Sequence, residues 1–298
     1  MPKLNKKKKN VSKIKLELVE KKKRKLVNKL NELTATEWLP ETISVWSQKG
    51  LGAKHPDTKI EKQHPAPFSF TDVSRLIKFF TKKNGLVLDP FVGVGSTLKA
   101  CSLEKRNGIG IELNPTFYRL SKKRLKDETK NNASNIQKII KGDARKIIPT
   151  LADDSIDFVV TSPPYWNILD KVDHKVKQER ISKNLVKDYG NLKGDLSNIR
   201  DYDTFLNELT HIFNDCKRVL KPEKYLAVIV SDFRHKSKYY MFHADLMNKL
   251  EDAGFSAKGL TVLYQRHKRV FPYGYPYSFV PNIHNQFILI LQKPKNEK

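Results

Sequence analysis

From Ser69 onward the chain alternates helix-patterned segments with short runs patterned as buried strands, and few architectures accept that order. Apolar periodicity predicts a helix over 72–82, a strand over 85–89, a helix over 95–105 and a strand over 108–112. Then come a helix over 115–130, which has Pro115 in its first turn, and strands over 136–141 and 156–161. A helix over 203–220 is expected to stop at Pro222, followed by a strand over 225–231 and a helix over 241–253 ended by Gly254. The last two strands, 260–264 and 285–292, have no helix between them. Strands separated by helices must run parallel and be covered on both faces, so the sequence predicts a doubly wound α/β sheet. The final pair should form an antiparallel hairpin. No internal repeat interrupts the pattern.

Composition limits the function classes. A chain of 298 residues that is 39% hydrophobic can bury a sizeable core, and it contains no apolar run of the ~18 residues that a membrane span needs. The N-terminus is lysine-rich without the apolar core of a secretory signal. Cys101 and Cys216 are the only cysteines, and neither has a second Cys or His at ligand spacing. Neither a disulfide framework nor a metal site is expected, and the cytoplasm is the expected compartment. The formal net charge is +25. The first 29 residues hold 13 Lys/Arg and two Glu, a net of 13 − 2 = +11, which leaves 25 − 11 = +14 on the remainder. Basic charge on this scale implies a polyanionic partner, whose phosphates release counterions to Lys and Arg.

Residues 1–34 read as a basic extension, low in complexity over 1–10. From Val11 onward, Ile14, Leu18, Val19, Leu26, Leu30 and Leu33 have the spacing of an amphipathic helix. Residues 35–298 read as a single catalytic domain. Two stretches within it break the alternation: the long polar segment 167–200 and the aromatic- and proline-rich segment 265–283. Unstructured connections of that length are usually functional, and both are candidate substrate-contacting loops. In the second, Gln265-Arg-His-Lys-Arg269 precedes Phe271, Tyr273, Tyr275, Tyr277 and Phe279. Basic residues beside spaced rings suit unstacked bases, and the competing reading is a hairpin with its rings in the core.

The ends of the predicted strands carry the chemistry. Asp89-Pro-Phe-Val-Gly-Val-Gly-Ser-Thr97 joins the first strand to the next helix. Gly93 and Gly95 let the backbone approach a ligand, and the helix beyond offers free N–H groups and its positive end. The turn is not the G-x-G-x-x-G dinucleotide fingerprint. Glu112 ends the second strand, 23 residues after Asp89, where a carboxylate can accept both hydroxyls of a ribose. Asp143, in Lys-Gly-Asp-Ala144, follows the third strand, where a carboxylate can accept from an adenine amine. Three acids at successive strand ends on one sheet edge outline a site for an adenosine. After the fourth strand comes Thr161-Ser-Pro-Pro-Tyr-Trp166. Two prolines fix two φ angles and remove two donors, which leaves a stiff peptide with a hydroxyl and a ring.

These motifs resemble the S-adenosylmethionine-dependent amino-methyltransferases of DNA. The resemblance covers roughly 38–293 and leaves the basic extension outside. It implies a Rossmann-like methyltransferase sheet of about seven strands and S-adenosyl-L-methionine as cofactor. The family's cofactor turn matches Asp89, Pro90, Phe91, Gly93, Gly95, Ser96 and Thr97. Its acidic ribose ligand matches Glu112, followed by Asn114 and Pro115. Its adenine contact matches Gly142, Asp143 and Ala144. An upstream motif bordering the methionine end matches His64, Pro65 and Phe68.

In such an enzyme the exocyclic amine of a base is a poor nucleophile, because its lone pair is delocalised into the ring. Two acceptors that bind both amine protons turn that lone pair toward the methyl group. Ser162 Oγ and the Pro163 carbonyl are the candidates, Pro164 stiffens the loop, and Tyr165 can stack on the base. The base must leave its duplex to reach them. Trp166 can line the pocket or belong to the core. No cysteine nucleophile is needed, unlike methylation at a ring carbon. Serine in the first position favours cytosine N4 in this family, with adenine N6 the alternative. No inserted recognition domain is present, so loops or a partner must read the target. The resemblance also allows a restriction endonuclease as partner. Competing readings are an N4-cytidine methyltransferase of ribosomal RNA, a small-molecule methyltransferase and a non-catalytic nucleic-acid-binding module.

Overall fold

The computed structural model describes residues 27–48, 60, 63, 69–129, 136–166, 192, 194–266 and 268–295. His64, Pro65 and Phe68, residues 11–26 of the predicted first helix and most of segment 167–200 lie outside them. The described elements run α1 (Ala35–Trp38), β1 (Val45–Ser47), α2 (Phe70–Phe80), β2 (Leu86–Asp89), α3 (Ser96–Leu103), β3 (Asn107–Glu112) and α4 (Pro115–Glu128). They continue with β4 (Gln137–Lys141), α5 (Ala144–Ile147), β5 (Ile156–Thr161), α6 (Tyr202–Val219) and β6 (Leu220–Val230). The chain then forms β7 (Phe233–His235), β8 (Lys238–Tyr240), α7 (Phe242–Asp252), β9 (Ser256–Tyr264) and β10 (Asn285–Gln292).

Eight strands form one sheet in the order β1-β9-β10-β6-β5-β2-β3-β4. Every pairing is parallel except those of β10, which runs antiparallel to both β6 and β9. The doubly wound sheet and its final hairpin are therefore as the sequence predicts. The eighth strand, β1, adds three residues along β9, with Trp46 opposite Leu263.

Helix packing follows the apolar spacing. Ser69 caps α2 by accepting from Thr71 N at 3.4 Å, and Val73, Leu76, Ile77 and Phe80 form its buried stripe. That stripe joins Val87, Phe158, Val160 and Ile229 on one face of the sheet. On the other face Phe205, Leu209, Ile212 and Phe213 of α6 pack with Leu88, Val159 and Val228. Strands buried on both faces have to be apolar throughout, and β5 breaks that rule at Asp157 and at its last residue, Thr161. The Asp157 carboxylate accepts from Leu86 N at 2.9 Å and from Lys221 Nζ at 2.7 Å, and the β5–β6 register shifts between Ile156 and Phe158.

Two sequence-based boundaries need correction, and one small element is added. Helix α6 ends at Val219 and passes directly into β6, so Pro222 lies inside a strand, beside the register shift where a missing donor is tolerated. Residues 233–240 form the small hairpin β7–β8, with Lys236 at φ 55° in its turn. Residues 27–33, the end of the predicted N-terminal helix, are not helical. There Asn31 Nδ2 donates to Phe79 O at 2.5 Å, and Leu33 is buried against the α2 layer.

Candidate active site

The turn after β2 is built from the inside. Asp89 is completely buried, and its Oδ1 accepts from Phe91 N at 3.0 Å and from Thr161 Oγ1 at 2.6 Å. Its other oxygen accepts from Thr97 Oγ1. One carboxylate thus ties the end of β2 to the end of β5 and to the first turn of α3. Burial pushes its pKa up to about 6, against the pull of those donors. Gly95 stands at φ 86° directly before α3, where a Cβ would also lie 3.1 Å from Ser121 Oγ. Ser96 Oγ accepts from Arg124 Nη1 at 2.9 Å. Asp89, Gly95, Ser96 and Thr97 therefore brace the turn and do not line the cleft beside it.

That cleft opens at the carboxyl ends of β2 to β5. Of the residues singled out in the sequence, Pro90, Phe91, Gly93, Glu112, Asn114, Gly142, Asp143, Ala144, Ser162 and Pro164 line it. Glu112 Oε2 accepts from Gly93 N at 2.8 Å and Oε1 from Asn114 N at 2.7 Å. Each oxygen keeps a lone pair, so both remain able to accept from a diol. Burial pushes the Glu112 pKa up to about 7; the two N–H donors oppose this, while Asp89 and Asp195 add to it.

Asp143 caps α5 and is held by a residue that sequence reading passed over. Arg145 Nη2 meets Asp143 Oδ2 at 2.7 Å, and Arg145 Nη1 meets Glu208 Oε2 on α6 at 2.9 Å. The same Nη2 donates to Gly194 O at 2.7 Å, which fastens the far wall of the cleft. Burial alone would raise the Asp143 pKa, but the hydrogen bonds and charge of Arg145 outweigh it and hold the pKa below the ordinary value. That wall, comprising Leu192, Gly194, Asp195 and Leu196, belongs to the segment that the sequence marks as a candidate substrate-contacting loop, and Phe117 and Ile212 add apolar lining. An acceptor at each end with apolar side chains between them fits a nucleoside, and acidic walls fit a cationic one.

Ser162 and Pro164 reach the cleft, whereas Pro163 is buried and Tyr165 partly buried outside it. Tyr165 heads a chain of amides. Gln286 Nε2 donates to its hydroxyl at 3.4 Å, and Gln265 Nε2 donates to Gln286 Oε1 at 3.2 Å and to Gln48 Oε1 at 3.0 Å. Gln48 Nε2 in turn donates to Asp72 Oδ2 at 3.0 Å. The chain crosses the ends of β10, β9 and β1 to α2, and sequence spacing could not foresee it. Burial raises the Tyr165 pKa, partly offset by Gln286 and the Ser231 backbone. Of the two roles open to Trp166, the structure gives the core one. The ring is buried, donates from Nε1 to Ile199 O at 2.8 Å, and packs at 5.1 Å from Tyr202 and 5.4 Å from Tyr240.

Cys101 and Cys216 are fully buried free thiols, and burial pushes both pKa values upward. Among the described residues no His/Cys/Asp/Glu group could hold a metal ion, and no helix is long and apolar enough to cross a membrane.

A sheet of this order with a cleft at its carboxyl edge defines a Rossmann-like α/β domain. Residues 3–123 and 156–298 match the sequence profile of the N6/N4 DNA methylases, and the chain belongs to that DNA methylase family. It is 37% identical over 95 residues to the type II methyltransferase M.BglI of Bacillus subtilis, covering 32% of this chain and 26% of that protein. It is 38% identical over 85 residues to the type II methyltransferase M2.MboI of Moraxella bovis, covering 28% and 30%. The matches thus span about a quarter to a third of these relatives' lengths. Among solved structures it resembles TTHA0409 of Thermus thermophilus in complex with S-adenosyl-L-methionine, at 25% identity and TM-score 0.37 over 53% of this chain and 55% of that one.

Proposed function

We propose that the protein transfers a methyl group from S-adenosyl-L-methionine to the exocyclic amine of a DNA base, with cytosine N4 as the target. One observation carries this reading. A single cleft is lined both by Gly93, Glu112 and Asp143 and by Ser162 and Pro164. A nucleoside cofactor and an amine acceptor site thereby share one wall.

When bound, the cofactor supplies an electrophilic methyl group on a sulfonium sulfur. Glu112 accepts from the ribose hydroxyls and Asp143 from the adenine amine. Pro90, Phe91 and Gly93 border the methionine end. Ser162 Oγ and the Pro163 carbonyl each accept a hydrogen bond from one amine N–H and turn the nitrogen lone pair toward the methyl. Transfer forms the N–CH3 bond, breaks the S–CH3 bond to leave the thioether, and releases one amine proton to solvent. Pro164 keeps that geometry rigid, so no reorganisation is needed during transfer. Tyr165, anchored through Gln286, offers its ring to the extruded base. With both thiols in the core, a covalent cysteine adduct at a ring carbon has no candidate nucleophile among the described residues.

The catalytic domain of this reading spans 35–298, its compartment is the cytoplasm, and a restriction endonuclease of the same site is its partner class. The test is methyl transfer by wild type, Ser162→Ala and Tyr165→Ala, with cofactor binding followed by calorimetry. Both variants should bind cofactor normally and lose turnover; undiminished turnover in both would sink the assignment.

A further inference from the structure

The connection between β9 and β10 carries rings where a folded chain seldom leaves them. Tyr275, Tyr277 and Phe279 are 82%, 93% and 86% exposed, and Val270, Phe271 and Tyr273 beside them are exposed as well. The rings do not enter the core, so the segment is not a hairpin packed by its rings. An apolar cluster of this kind marks an interaction surface.

The segment is also built to hold its shape. Asn282 clamps Phe271 through both backbone groups, accepting from Phe271 N at 2.9 Å and donating to Phe271 O at 2.8 Å. The tip closes on Gly274 O, which accepts from Tyr277 N and Ser278 N, each at 2.7 Å. Gly274 stands at φ 77°, and a Cβ there would fall 2.2 Å from Ser278 O. A backbone fixed in advance loses little entropy on binding.

Two observations select the partner. Arg266, Lys268 and Arg269 are exposed at the root of the tip, and the whole chain carries +25. A second copy would bring a repelling surface, whereas a polyanion is attracted. The root also adjoins the proposed site, because Gln265 and Gln286 belong to the amide chain that ends on Tyr165. We infer that the β9–β10 tip is a stacking platform for unpaired DNA bases, gripping nucleotides exposed when the target base leaves its duplex.

This inference rests on the proposed function only for the purpose of the grip, so its test needs neither methyl donor nor turnover. Fluorescence anisotropy would compare a fully paired duplex, the same duplex with an unpaired bulge, and its labelled single strand. Wild type should prefer the unpaired probes. A Tyr275→Ala/Tyr277→Ala/Phe279→Ala protein should lose at least about tenfold on them, the size of one lost base–ring stack. Its salt dependence and thermal midpoint should not change, since the lysines, arginines and core are untouched. Gly274→Ala, which keeps every ring but breaks the tip, should lose the same preference. Equal binding of all probes by wild type and triple variant would overturn the inference. So would a wild-type dimer, seen by sedimentation, that the triple variant dissolves. If the preference holds while methyl transfer fails, only the proposed function falls.

Discussion

Replacing Glu112 by Gln tests the electrostatics of the cleft through a sign that ordinary surface carboxylates do not share. The Glu112 pKa stands at about 7, against an ordinary 4.5. The folded state therefore holds its proton more tightly than the unfolded chain does. For such a group the stabilising contribution is complete below about pH 4.5 and is lost as pH rises to about 7. The gap, at about 1.36 kcal/mol per pH unit, amounts to about 3 kcal/mol, about 2.5 kcal/mol of it between about pH 5 and about pH 8. Asp89, with its pKa at about 6, has the same sign over a lower window and is present in both proteins. Urea unfolding of wild type and Glu112→Gln at these two pH values isolates the Glu112 share as a difference of differences. Wild type should lose about 2.5 kcal/mol more than the variant on going from the acid to the alkaline condition. In the proposed function ribose hydroxyls donate to the ionised carboxylate, so cofactor affinity of wild type should fall as pH drops below about 7. The variant should bind about tenfold or more weakly, independent of pH, since hydrogen bonds to charged groups contribute about 1.5–3 kcal/mol. Equal pH dependence of stability in the two proteins would refute the reasoning, as would wild-type affinity that is flat with pH.

Other perturbations separate bracing from binding. Asp89→Ala strands the buried Thr97 and Thr161 hydroxyls, and should cost about 2–6 kcal/mol in urea unfolding at about 1–3 kcal/mol per buried unpaired group. Arg145→Ala frees Asp143 and Gly194 together and should weaken cofactor binding about tenfold in calorimetry, the loss expected for one charge-assisted bond. Gln286→Leu should lower kcat more than cofactor affinity, because it loosens Tyr165 without touching the cleft wall; an equal effect on both would show that the amide chain is merely structural.

The parts of the fold that were legible in the sequence are those governed by periodicity. Helix α2 shows its stripe at Val73, Leu76, Ile77 and Phe80, and β5 shows its apolar run. Strand β1 was not legible, because three residues carry no period and Trp46 is buried by its pairing with β9. Pro222 misled because a helix stop and a strand bulge place the same demand on a missing N–H. In the site, Glu112 and Asp143 were readable from their position after strands. Arg145 was not, although a basic residue two positions after an N-capping Asp is a signal that could have been used. The amide chain joins Gln48, Gln265 and Gln286, which are distant in sequence and meet only through strand order. The β9–β10 rings have a core-like composition, and only the fold shows that they are outside.

The central claim is that one cleft joins a sulfonium methyl donor to the exocyclic amine of a DNA base. The most direct measurement incubates the protein with DNA and isotopically labelled S-adenosyl-L-methionine, then resolves the digested nucleosides by mass spectrometry. The account predicts label in N4-methyldeoxycytidine from DNA, absent with Ser162→Ala. Label at a cytosine ring carbon, in RNA alone or nowhere would contradict it, and label on adenine N6 would reassign the base.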